Sequence, residues 1–158
     1  MNQPPPDCFT LEDLQAFQAL EGMTLEAVQY YLWLHPTKQT DQPQRFLYAL
    51  ELLFEDGGAL LLSSGEDSEA IRRIRAADLV GTASRLHDLH GKALIQRVQA
   101  SPQPLWKPCI GQPLLGIRLS ANEEGLYYND MLLLDFENDT ILLQLNDRGG
   151  LLVGAYVE

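Results

Sequence analysis

Three groups of residues in this sequence could do chemistry: a histidine pair, a hydroxyl-rich acidic loop and a surplus of carboxylates. His87-Asp88-Leu89-His90 sets two imidazoles three residues apart, so on a helix they share a face and would need a third ligand to hold a metal. No H-E-x-x-H register and no neighbouring Cys/His pair supplies one, and cationic histidines suit a helix C-terminus, where they complement the dipole. The expectation is therefore no metal and no cofactor. The stretch SSGEDSE, Ser63 to Glu69, gathers hydroxyls and carboxylates in the manner of a nucleophile or a divalent-cation loop. It matches neither G-x-S-x-G nor the spacing of a calcium loop. A polar connection leaving a strand, with Ser68 capping the next element, explains the same letters.

Glu123, Glu124, Asp130, Asp135, Glu137 and Asp139 lie close in sequence, but an acidic chain brings carboxylates together by chance. Asp135 differs because it follows three leucines in an expected central strand, where a half-buried carboxylate is either a structural acceptor or a perturbed functional acid. No glycine-rich phosphate loop occurs, so nucleotide hydrolysis has no support. With 11 basic against 22 acidic residues the net charge is −11, which repels nucleic acid. Arg72, Arg73 and Arg75 sit beside Glu66, Asp67 and Glu69 and read as a salt-bridged edge. The same charge would steer a basic protein partner inward. Aromatic rings with one polar edge suit such interfaces. The candidate binding residues are Glu123, Glu124, Tyr127, Tyr128, Asp130 and Glu137, with Trp106 divided evenly between interface and core. Trp33 reads as core.

These residues need elements to hold them. The chain is long enough for one core, and residues 1–158 are expected to form a single domain. The opening MNQPPPDCFT has no basic n-region and no run reaches about 18 apolar residues, so neither a signal peptide nor a membrane span is expected, and the cytoplasm is the simplest location. Cys8 and Cys109 are far apart without ligand-spaced neighbours and read as free thiols.

LELLFEDGGALLL at Leu50–Leu62 closely resembles LLLDFENDTILLQ at Leu132–Gln144. Without a gap, Leu50, Leu52, Phe54 and Leu60 fall on Leu132, Leu134, Phe136 and Leu142. Upstream, Gly22, Leu25 and Val28 fall on Gly111, Leu114 and Ile117. Each copy reads as a lead-in strand followed by a hairpin whose inward residues alternate. Asp56-Gly57-Gly58 supplies the positive-φ residues of a tight turn, and Asn138-Asp139 does so less well. The internal pseudo-repeat spans 22–75 and 111–156. It also favours a strand for Ala27 to Leu34, where local pattern allows helix or strand and a strand would put Val28, Tyr30, Leu32 and Leu34 on one face.

Around the repeat, Thr10 with Asp13 signals a helix start, with Leu11, Leu14, Phe17 and Leu20 at helical spacing. Ala76, Leu79, Val80, Ala83, Leu86 and Leu89 define a helix at about 76–90, closed by Gly91. A strand comes next at about 92–99, then a proline-rich linker. The expected fold is α+β: a mainly antiparallel, twisted sheet or partly open barrel of two related β-meander units, with one or two helices packed on it. The leading functional expectation is a non-enzymatic acidic protein-binding domain, in concrete form a bacterial toxin-neutralising immunity protein, an analogy of charge and size. The alternative is a small-molecule binder or hydrolytic enzyme with a pocket between sheet and helix, using His87, His90 or Asp135.

Overall fold

The computed structural model describes residues 5–35, 44–90 and 95–157, and within them the chain is α+β. Helix α1 (Leu11–Ala19) begins where the sequence signals it. The Thr10 hydroxyl accepts from the Asp13 amide at 3.1 Å, and the Asp13 carboxylate accepts from the Thr10 amide at 3.0 Å, satisfying two otherwise orphaned donors. Phe17 and Leu20 are buried, and Phe17 meets Phe9 edge to face at 5.2 Å. Leu11, the first residue of the apolar series, points to solvent.

Among the described residues nine strands form one antiparallel sheet. They are β1 (Leu25–His35), β2 (Gln44–Phe54), β3 (Ala59–Ser63), β4 (Arg72–Arg73), β5 (Ile95–Gln99), β6 (Leu114–Arg118), β7 (Met131–Phe136), β8 (Thr140–Leu145) and β9 (Leu151–Ala155). The main path runs β4-β3-β2-β9-β8-β7-β6, and β1 and β5 continue from β2 off that path. The sheet curls into a half-barrel. The segment left open between helix and strand by local pattern is β1, held between β2 and β5. Residues on both its faces are buried, which is why it lacks clean alternation: Val28, Tyr30 and Leu32 join one apolar cluster, Trp33 and Leu34 another. Leu34, near the end of the strand, is half-buried and packs against the second cluster. The pairing shifts between Tyr31 and Leu32, where Tyr48 on β2 is the extra residue.

The two meanders, β1-β2-β3-β4 and β6-β7-β8-β9, pair in matching ways. Leu25 opposes Phe54 and Val28 opposes Leu52; Leu114 opposes Phe136 and Ile117 opposes Leu134. Both ladders bulge at the same place, between Leu25 and Ala27 and between Leu114 and Gly116. The two lead-ins also bind each other reciprocally. Gly22 donates to the Leu114 carbonyl at 2.7 Å and Gly111 to the Leu25 carbonyl at 2.8 Å, around a bridge between Thr24 and Pro113. Each glycine takes a left-handed φ, 85° and 89°, so a side chain at either would be strained. At the far ends, Leu47 pairs with Leu151, and the Ile71 amide donates to the Asn129 carbonyl at 2.7 Å. Leu25, Leu50, Leu52, Phe54, Leu114, Leu132, Leu134 and Phe136 consequently share one core.

The gapless alignment needs correction past the hairpin turns. Phe54 closes its turn on the Gly58 carbonyl across three residues, whereas Phe136 closes on the Asp139 carbonyl across two. Asp56 and Gly57 take left-handed φ values, and neither Asn138 nor Asp139 does. Leu50 therefore pairs with Leu62, but Leu132 pairs with Leu143, so the buried match of Leu60 is Ile141 rather than Leu142. A one-residue slip exchanges the faces of a strand, and the shorter turn absorbs it.

Helix α2 (Ala76–His90) covers the outer face of the first meander. Leu79 and Leu86 bury themselves against Trp33, Tyr48, Ala49 and Leu61. Val80 and Leu89, expected on that stripe, are exposed. The proline-rich linker folds back as a short 3-10 turn, Lys107–Cys109. Gly91 and the first residues of the strand expected at 92–99 lie outside the described residues.

Candidate interaction site

Helix α1 and edge strand β6 leave a groove between them, with the segment after β6 as a third wall. Its volume is about 400 Å³. Leu14, Phe17, Ile117 and Leu119 supply apolar surface, Tyr127 an aromatic face, and Gln18, Glu21 and Arg118 the polar groups. The helix can turn Leu14 and Gln18 toward this space because they lie four residues apart and so share a face.

The third wall is held by its own backbone. The Asn122 side-chain oxygen accepts from the amides of Glu124 at 2.9 Å and Leu126 at 3.0 Å, and Gly125 takes φ 82° to complete the turn. Residues 127–129 then run as a ribbon between two neighbours. Tyr128 donates to the Ser120 carbonyl at 2.9 Å, while on the other side Phe9 donates to the Tyr127 carbonyl at 2.8 Å. Asn129, itself buried, donates from its side chain to the Pro6 carbonyl at 3.0 Å. Tyr127 and Tyr128 are thereby fixed at the surface, beside exposed Glu123, Glu124 and Asp130.

Five of the seven residues singled out in the sequence are thus neighbours on one segment. Glu137 is separated from them: it comes directly after β7, whereas Asp130 directly precedes that strand, and at roughly 3.4 Å per residue the two stand about 24 Å apart. Trp106 is removed from the surface altogether. It is fully buried, and its indole N–H donates to the Tyr30 hydroxyl at 2.6 Å, so core is its place. Leu14, Gln18, Glu21 and Arg118 were missed as site residues. In sequence they belong to a helix, the turn that follows it and a strand more than ninety residues on, and nothing local says that these elements adjoin.

Asp135 has structural partners. Its carboxylate receives two bonds from Arg118, at 2.6 and 3.0 Å, and one from the Thr140 hydroxyl at 2.9 Å. Arg118 also lies over the Tyr156 ring, 5.9 Å from its centroid. The serine-rich loop is equally occupied. Ser63 donates to the Tyr48 carbonyl and accepts from the Gly65 amide, and Ser64 donates to the Gly65 carbonyl. Ser68 caps no helix; from a left-handed φ of 55° it accepts from the Gly150 amide at 2.9 Å, tying the first meander to the second. Arg72, Arg73 and Arg75 pair with Asp67, Asp13 and Asp78, and Glu66 pairs with Arg85. Arg75, through its amide and guanidinium, holds the Asp78 carboxyl below its usual range.

His87 is exposed, and the side chain of His90 lies outside what the structure describes. Among the described residues no group of three or more His, Cys, Asp and Glu side chains could hold a metal ion. Cys8 and Cys109 are free, buried thiols. Burial, with Asp139 nearby, pushes the Cys109 thiol up to about 11; burial and Asp7 push Cys8 up as well. Neither is poised as a nucleophile. No described helix is long and apolar enough to cross a membrane. Compared with known proteins, the chain matches no family model, no curated protein and no solved structure.

Proposed function

We propose that this protein is a binding domain that receives a basic protein partner on the segment 119–130 and the adjoining α1/β6 groove. One observation carries the reading: Tyr127 belongs to the acidic segment and lines the apolar groove, so charge and an insertion site coincide. Carboxylates at Glu123 and Glu124 would attract a cationic surface, and an apolar side chain of the partner would enter between Leu14 and Ile117. The asparagine-locked turn lowers the ordering cost of such an encounter. A toxin-neutralising immunity protein facing a basic effector is the concrete form of this reading, and its support is charge and size alone.

The volume of the groove favours a second reading, a small apolar ligand, since ligand cavities span roughly 300–1,000 Å³. Hydrolysis gains no support there, because Asp135 is engaged by Arg118 and Thr140.

The test compares partner capture and association kinetics for the native chain, a Glu123→Gln/Glu124→Gln variant and a Leu14→Arg variant. The double variant should bind several-fold more slowly at low salt, with stability changed by about 0.5 kcal/mol or less, since exposed charges contribute little to folding. Leu14→Arg should speed dissociation. A captured partner whose association ignores salt and all three substitutions would remove the proposal.

A further inference from the structure

The chain has eight arginines, and they differ sharply in partnership. Arg72, Arg73, Arg75, Arg85 and Arg118 are ion-paired, and Arg97 faces the Tyr31 hydroxyl. Arg45 and Arg148 remain. Among the described residues neither has a carboxylate partner, and both line a single cavity of about 610 Å³ with Phe46, Leu47, Asn146 and Gly149. They come from residues 103 positions apart in sequence, so only the fold brings them together.

The wall carrying Arg148 is built to stand against β2. The Arg148 amide donates to the Asn146 side chain at 3.1 Å, Gly149 to the Asn146 carbonyl at 2.9 Å, and Gly150 to Ser68 at 2.9 Å. Gly150 is required by contact as well as by its φ of 76°. A Cβ there would stand 2.5 Å from the Leu47 carbonyl oxygen and 2.9 Å from the Phe46 ring. Any larger residue would push the turn, and Arg148 with it, away from Arg45. On the opposite wall Arg45 sits on β2 across from Leu34, and Phe46 packs against Trp33 with the rings tilted by 46° and their centroids 5.3 Å apart.

Two arginines that line one space, without carboxylate partners among the described residues, are suited to a ligand with two or more anionic oxygens. We infer that this cavity binds a small multiply charged oxyanion, a phosphate or a carboxylate, with Phe46 as an apolar border for the group that carries it. The chain's net charge of −11 does not forbid this, since charges beyond about 8 Å are largely screened at physiological salt. The acid next to Arg148 in sequence, Asp147, is exposed and is not among the described residues that line the cavity. The site is independent of the acidic segment and its partner.

Calorimetric titration of the full chain with phenyl phosphate and, separately, with phthalate tests this at constant ionic strength in chloride. Saturable binding of at least one probe is expected, and which probe binds distinguishes phosphate from carboxylate. Arg45→Gln and Arg148→Gln should each weaken binding about tenfold, the loss of one charge-assisted contact, and the double variant should abolish it. Both side chains are exposed, so the variants should fold as the native chain does, checked by circular dichroism. Arg75→Gln, which removes an ion-paired arginine elsewhere, should leave binding unchanged, and Asp147→Asn should tighten it. Failure of both probes to saturate, or binding that survives the double substitution, overturns the inference.

Discussion

The meander over Leu25–Arg73 and the meander over Leu114–Ala155 share the register between their first two strands, down to the bulge, yet different structures are laid on them. In the first, β1 and β2 run to 11 residues each, and their outer face lies under α2 in a second apolar cluster around Trp33 and Tyr48. In the second, β6 and β7 are 5 and 6 residues long, and the chain between them forms the acidic, tyrosine-bearing segment. What the halves have in common is what the core demands. Both proposed sites draw groups from outside that common frame: the 119–130 segment joins β6 to β7, and Arg45 lies on the part of β2 that extends beyond the length of β7.

The comparison would break most visibly at its paired phenylalanines. Phe54→Ala and Phe136→Ala should each cost about 3–5 kcal/mol in urea unfolding, because both rings are buried at equivalent register positions. If one were nearly neutral, the halves would not be energetic equivalents. A smaller and deliberately unequal pair sharpens the contrast. Leu61 is buried beneath α2, whereas Leu142, at the matching position after the shorter turn, is half-buried. Leu61→Ala should cost about 2–3 kcal/mol and Leu142→Ala about 1 kcal/mol. Equal losses would mean that α2 contributes little to burial.

The gentlest probe is pH. Cys109 stands two residues before Gly111, as Leu20 stands before Gly22, so the second half carries a titratable group where the first has a hydrocarbon. Its thiol is pushed up from 9.0 to about 11, so the unfolded chain loses that proton first. The associated stability is intact below pH 9 and falls as pH rises toward 11, by at most about 1.4 kcal/mol per pH unit. Tyr30 and Tyr31, also raised by burial, act in the same direction from pH 10 upward. Unfolding measured from pH 8 to 11 should therefore be less steep with pH in Cys109→Ala than in the native chain. An unchanged slope would reassign the effect to the tyrosines and to Cys8, whose thiol is raised as well.

Much of the frame was legible in the residues. Thr10 with Asp13 set the first helix, Leu79 and Leu86 the buried side of the second, and the alternation of Leu50, Leu52 and Phe54 the hairpin, because each is a local rule of capping or periodicity. The sites were less legible. Adjacent letters sufficed to group Glu123, Glu124, Tyr127, Tyr128 and Asp130, which share one segment, but proximity in sequence also drew in Glu137, which stands at the other end of β7. Trp106 between prolines read equally well as surface or core, and only the Tyr30 hydroxyl, 76 residues away, decided it.

By itself, then, the sequence determined most of the elements, the inward residues of β2 and β7 and the sign of the surface charge, which depend on neighbours within a few residues. Tertiary structure decided the turn length that shifts Leu60 onto Ile141, the meeting of α1 with β6, the partner of Ser68 and the pairing of Arg45 with Arg148 across one cavity. Those outcomes rest on long-range closure of the curled sheet. A slip of one residue or a side chain at Gly150 would change them while leaving every local signal intact.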